Sequence, residues 1–234
     1  SGGTASGVAA NLGVAGMGSD TGNSIRGPSS HLALFGIRST IGLTSRDGII
    51  PLAFDRDIAG PMTRTVEDGA RLFNVIAGYD QADPLTLPNM REENYLDFLN
   101  ADGLKGKRLG VFRTLVDNEE ADPEIKEIFS QAIVDLTAAG AIIIDPFEIK
   151  DFQILSDQIP FCGRFRYDVG QYFKSLENPP LFDVNKVLET GDIASESKAA
   201  FDFFTQRPLD VVPDEWEEPC LTWPNHRERN QLLS

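Results

Sequence analysis

The sequence predicts an α/β fold in which a mixed, largely parallel β-sheet is sandwiched by helices. Three observations predict it: a strand, helix, strand order across residues 108–144, a separate capped amphipathic helix from residue 66, and enough apolar residues for one large core. A strand that returns through a helix pairs in parallel with its predecessor, and helices then cover the faces of the sheet.

The elements follow in order. Residues 1–30 are rich in glycine and carry only Asp20 and Arg26 as ionised side chains, a stretch suited to close backbone approach. Within it, Ser6 to Ala15 is small and apolar enough for a buried helix, and Val14 to Met17 reads as a short strand. The apolar segment from Pro28 to Ile41 leads into Gly42, and Ile49, Ile50, Leu52 and Phe54 form a second strand-like patch. Thr65-Val66-Glu67-Asp68 has the form of a capping box, followed by Val66, Ala70, Phe73, Ile76 and Ala77 on one helical face and a stop at Gly78. Arg108 to Phe112 is a strand. Asp122 as N-cap and Pro123 at the first helical position open the next helix, whose apolar face is Ile125, Ile128, Phe129, Ala132, Ile133 and Leu136. Gly140 ends it, and Ala141 to Ile144 is the following strand. Phe165 to Leu176 is helical, with Phe165, Val169, Tyr172, Phe173 and Leu176 on one face, and is expected to line or cover a site; Asn225 to Leu233 begins a further helix. One domain is expected over 1–234, with 1–80 forming a core around the glycine-rich loop and 104–234 supplying the rest of the sheet and the covering helices.

Composition narrows the function. The 234 residues are 41% hydrophobic and 24% charged, as in ordinary globular proteins. A net charge of -15, from 36 acids against 21 bases, repels phosphate backbones and anionic lipid, so neither nucleic acid nor membrane is an expected partner. Apolar runs such as Ala138 to Ile144 are far too short to cross a bilayer. Cys162, Cys220, His31 and His226 are too scattered for a disulfide framework or zinc spacing, and no cofactor or metal is implied.

Chemistry concentrates in Gly18-Ser19-Asp20-Thr21-Gly22-Asn23-Ser24-Ile25-Arg26. A serine behind such a turn can present its hydroxyl while the backbone N–H groups of Thr21, Gly22 and Asn23 point to one spot, which is how an oxyanion is held. Asp20 and Arg26 can brace the turn by charge-assisted hydrogen bonds. By itself this pattern is more often an ordinary turn.

Several ordered blocks change that weighting. Ser1-Gly2-Gly3-Thr4-Ala5-Ser6-Gly7 together with Ser19 to Ser29 resembles the amidase signature, the glycine- and serine-rich block of amidases that use a Ser, cis-Ser, Lys triad. Gly36 to Arg46 resembles the family's "GLKPTxGRVSR" stretch, Asp57 to Asp68 its "xxxGPMxRTVxD" stretch, and Leu104 to Val111 a later recurring segment. The resemblance implies the amidase-signature fold and an amide hydrolase with Ser24 as acyl-forming nucleophile and the amides of Thr21, Gly22 and Asn23 as oxyanion hole. It gives Ser1 and Ser19 supporting positions beside Asp20 and Arg26. It places the bridging cis-Ser immediately before Ser1 and the catalytic lysine further upstream; Lys105 and Lys107 belong to a different block. The sequence is thus expected to be an incomplete piece, lacking its true N-terminus and hydrolysing amides negligibly alone.

Other readings compete at each position. His31 near Ser24 suggests a Ser/His pair, but a helix-start histidine explains it; Cys162 with His226 lacks activating context; Asp117, Glu119, Glu120 and Asp122 read as a solvated loop leading to an N-cap. Within the family, the glutamine-hydrolysing component of the tRNA-dependent amidotransferase is the rival. Arg164 to Phe173 looks more like the "EFKxDLNAYL" segment of stand-alone amidases than the amidotransferase's "ARYDGxRYG", with Tyr167 and Tyr172 then facing a substrate pocket. A non-catalytic reading has a glycine-rich loop before Ser6 cradling an anion at a helix N-terminus. A small amide as substrate, a homodimer and the cytoplasm complete the expectations.

Overall fold

The computed structural model describes residues 1–54, 56–153, 163–181 and 183–216. The chain divides into two compact units, one formed by residues 1–95 with the described residues of 163–216, the other by residues 96–153. The segment after residue 163 thus gathers with the first 95 residues.

The first unit opens with α1 (Gly2–Ala9), which buries Ala5 and Val8. The expected helix at Ser6 to Ala15 is corrected: Asn11 adopts φ 58°, a left-handed conformation that halts the helix, and the chain re-enters as β1 (Ala15–Asp20). After α2 (Arg26–His31) come the short β2 (Phe35–Gly36) and β3 (Ile58–Thr63). The sheet order is β1-β3-β2 and both pairings are antiparallel, with Asp20 opposite Ile58 and Phe35 opposite Thr63.

β3 is the central strand and every residue of it is buried. Its Gly60-Pro61 pair argues against a central strand, since proline cannot donate to a ladder. The structure resolves the conflict locally. Pro61 O accepts from Ile37 N at 3.1 Å, and a strand residue's N and C=O point to the same side, so the missing donor falls where β2 ends. At Gly60 a Cβ would stand 1.9 Å from Ile37 O, so only glycine allows this crossing. The patch from Ile49 to Phe54, read as a strand, is a loop.

α3 (Val66–Ile76) forms as expected and packs on β3. Thr65 Oγ1 accepts from Asp68 N at 3.1 Å and donates to Asp68 Oδ2 at 2.8 Å, so the carboxylate takes the hydroxyl rather than reaching back to the Thr65 amide.

The second unit contains β4 (Arg108–Gly110), α4 (Pro123–Ala138) and β5 (Ile142–Ile144), and β4 pairs with β5 in parallel as the strand, helix, strand order requires. Asp122 Oδ1 accepts from Glu124 N at 2.8 Å and caps α4. Ile125 and Ile128, placed on its apolar face, are each 59% exposed among the described residues. The α/β class and the mixed pairing hold; the parallel share is smaller than expected, because the larger sheet is antiparallel.

α5 (Phe165–Ser175) matches its expected span, and α6 (Asn185–Thr190) and α7 (Ser195–Phe204) follow it without having been read from the sequence. Val169, Phe173 and Val184 form their core, with Phe165, Tyr172, Leu181 and Phe201 packed against it. Cys162, Cys220, His226 and the helix expected at Asn225 to Leu233 lie outside the described residues.

Candidate active site

β1 delivers the chain to Asp20, and the next five residues turn into α2. The two residues at the end of that turn face opposite ways: Ile25 is fully buried with Ala5 and Met62, against which Leu34 packs, and Ser24 is exposed. An apolar side chain locked in the core thus fixes the backbone that holds the neighbouring hydroxyl toward solvent.

Asp20 organises the turn from beneath. Its carboxylate is fully buried and accepts from Ile25 N at 3.1 Å, Arg26 N at 3.3 Å and Arg26 Nε at 3.2 Å. Arg38 adds a contact to Asp20 Oδ1 at 3.3 Å and a hydrogen bond to the Asp20 carbonyl, while Arg26 Nη2 donates to the carbonyl of Gly22. Burial opposes ionisation of Asp20, but the Arg26 hydrogen bond, the two amides and the Arg26 charge outweigh it and hold the carboxyl below its ordinary value. An ionised carboxylate therefore sits under the turn with its donors already supplied.

The upper side of the turn has the opposite character. Among the described residues, none accepts a hydrogen bond from the amides of Thr21, Gly22, Asn23 or Ser24. Thr21 Oγ1 donates to Asp57 Oδ1 at 2.5 Å, and Asp57 Oδ2 accepts from Leu52 N at 2.8 Å and Ala53 N at 3.0 Å. Ser1 Oγ donates to Ser19 O at 3.2 Å, and a Cβ on Gly18 would lie 2.6 Å from that same Ser1 oxygen. Exposed His31 is the last residue of α2, not its start. Lys105 and Lys107 are exposed in the second unit.

Asp57 also lines a cavity of about 360 Å³ within the first unit. The loop from Arg46 to Phe54, the segment from Ala82 to Pro84 and the face of α5 carrying Tyr167, Asp168, Gln171 and Tyr172 line it, and it opens to solvent. Ser24 is not among its lining residues, so the connection between turn and cavity is the Thr21 to Asp57 hydrogen bond. Arg46 meets Asp83 through Nη2 at 2.8 Å and Nε at 2.9 Å, and Arg164 meets Asp168 through Nη2 at 2.8 Å. The guanidinium carbons of Arg46 and Arg164 lie 4.7 Å and 4.6 Å from the centre of the Phe54 ring. Tyr172 Oη reaches Gly48 O at 3.4 Å and ties α5 to the loop.

Sequence reasoning gave no role to Arg38, Asp57, Arg46 or Asp83. Arg38 is the one arginine or lysine in the apolar stretch Pro28 to Ile41, and Asp57 immediately precedes a fully buried strand. Those two oddities are the available signals. The anion-cradling reading loses its premise, because the residues before Ser6 belong to α1 rather than to a loop.

Comparison with known proteins finds relatives that match most of this chain. The A-type subunit of the Microcystis aeruginosa glutamyl-tRNA(Gln) amidotransferase is 40% identical over 173 residues, 74% of this chain and 32% of that protein. The native peptide amidase of Stenotrophomonas maltophilia superposes with a TM-score of 0.73 at 27% identity, covering 98% of this chain and 46% of that one. The corresponding glutamyl-tRNA(Gln) amidotransferase protein of Thermotoga maritima gives 0.58 at 25% identity, covering 86% and 42%. The chain spans 32% to 42% of the length of the first curated relatives it matches. The Amidase family itself matches residues 1–196, a stretch that contains the Ser24 turn, the β3 segment and α5, and the chain belongs to that family.

Proposed function

We propose that this chain carries the nucleophile and oxyanion hole of an amidase that hydrolyses a carboxylic amide C–N bond to a carboxylate plus ammonia or an amine. Ser24 Oγ attacks the carbonyl, and the negative oxygen of the tetrahedral intermediate is held by the amides of Thr21, Gly22 and Asn23. Collapse of that intermediate breaks the C–N bond, the nitrogen taking up the serine's proton and leaving as ammonia or an amine, and water then releases the acyl group from Ser24 as a carboxylate. The observation that carries this reading is the two-sided turn: an exposed hydroxyl and unengaged amides above, a buried ionised Asp20 below. Preorganised donors need no rearrangement when charge develops, which is where their catalytic value lies.

A serine keeps its proton at neutral pH, so attack requires a base. The family resemblance gives that role to a lysine acting through a bridging serine, both aligned upstream of Ser1. The test therefore uses protein expressed from its complete coding sequence. A fluorophosphonate should form one adduct, mapped to Ser24, and Ser24→Ala should abolish it and lower amide turnover by about 1,000-fold or more. Turnover that survives Ser24→Ala would refute the assignment, and tight phosphate binding without an adduct would support a non-catalytic module.

A second reading, glutamine hydrolysis within an amidotransferase, draws on the name of a 40% identical relative. The higher structural similarity to the peptide amidase, 0.73 against 0.58, and the composition of Arg164 to Phe173 favour a stand-alone hydrolase. A homodimer is the assembly proposed with it.

A further inference from the structure

We infer that the cavity beside the nucleophile turn selects neutral amides bearing an apolar, ring-sized acyl group and rejects amides that carry a carboxylate. This deepens, and rests on, the assignment of Ser24 as nucleophile. Two features of the cavity lead to it.

The first is charge. Four carboxylates, Asp47, Asp57, Asp83 and Asp168, line the space against two guanidiniums, Arg46 and Arg164. Each guanidinium is already held by an aspartate through two nitrogens: Arg46 by Asp83 at 2.8 and 2.9 Å, Arg164 by Asp168 at 2.8 and 3.2 Å. A substrate carboxylate would have to displace one of these nearly buried aspartates or lie unpaired beside them, and either course is unfavourable. Asp57 offers nothing to an anion, since both its oxygens accept hydrogen bonds from Thr21, Leu52 and Ala53. Gln171, Tyr167 and Tyr172, the remaining polar side chains of the lining, are uncharged.

The second is shape and surface. Ile49, Pro51, Phe54, Pro84, Tyr167 and Tyr172 supply apolar and aromatic walls, and about 360 Å³ lies at the small end of the usual range for small-molecule sites. Phe54 and Tyr172 are held in place, the ring by two arginines and the phenol by Gly48 O, so the walls are set before a ligand enters.

The test uses protein from the complete coding sequence and compares phenylacetamide with L-glutamine and succinamate, alongside fluorophosphonate labelling of Ser24. The expected result is an adduct at Ser24 and a kcat/KM for phenylacetamide at least about tenfold above that of either carboxylate-bearing amide, the zwitterion glutamine or the anion succinamate. Gln171→Arg, at an exposed position, adds a third guanidinium to a lining whose other two are held by Asp83 and Asp168, and should narrow that preference by about fivefold or more. Tyr172→Ala should raise the KM for phenylacetamide. An adduct at Ser24 with glutamine or succinamate turned over as well as phenylacetamide would overturn the specificity and leave the nucleophile standing. No adduct at Ser24 would overturn both.

Discussion

Replacing Asp20 by asparagine keeps the side-chain volume but removes the charge on which Arg26, Arg38 and the amides of Ile25 and Arg26 converge. Asp20→Asn should cost about 3 kcal/mol, the usual scale for removing one partner of a buried, hydrogen-bonded ion pair, measured as a shift in the urea midpoint. The same variant should slow fluorophosphonate labelling of Ser24, because the turn loses the carboxylate that fixes the start of α2. Labelling at the original rate would mean that Ile25, buried with Met62, fixes the turn unaided. Thr21 and Asp57 form a second link, from the turn to the cavity wall, and neither residue's partner could be read from the chain because 36 residues separate them.

α3 and α4 were legible from their own capping groups and α5 from its apolar face, whereas α6 and α7 were not read from the sequence. α3 and α4 show their N-caps in sequence, Thr65 and Asp122, and both side chains accept a hydrogen bond from a first-turn amide. Thr65→Ala and Asp122→Ala should each cost about 1 kcal/mol, read as a lowered midpoint in chemical unfolding followed by circular dichroism. α6 and α7 show no side-chain cap hydrogen bond. They pack through Val184 and Phe201 onto α5, so their ordering comes from a core assembled from separate segments. β3 was hidden for another reason: burial on both faces erases the alternation that marks a half-buried strand, and Gly60-Pro61 reads as a turn.

Across the whole molecule, several carboxylates are stabilised by arginine. Asp20, Asp83 and Asp183 all lie below the ordinary value of 3.8: burial opposes the shift at Asp20 and Asp83 but is outweighed by hydrogen bonds from Arg26 and Arg46, and at Asp183 the Arg166 hydrogen bond leads. A carboxyl whose pKa is lower folded than unfolded contributes stability that is fully present above its unfolded value and is lost as pH falls through the folded one. Unfolding midpoints in about 0.15 M salt, which screens the net charge of -15, should therefore fall steeply once pH drops below roughly 4. Asp83→Asn should flatten that acid limb, since one of the protonations that drives it is removed. An unchanged limb would show that the Arg46 to Asp83 pair does not distinguish the folded from the unfolded state.

The amino-acid sequence by itself determined the α/β class, the parallel β4 and β5 pair with its helix, the capped helices and the family to which the Ser24 block belongs. Each of these is written in neighbouring residues, as a period, a cap or a contiguous motif. Only the tertiary structure decided that β3 is the central strand, that Arg38 braces Asp20, and that α5 meets the loop after Arg46 around one cavity. Those arrangements depend on groups brought together across 18 to 124 positions of chain, and a contact at that separation exists only once the backbone has closed on itself.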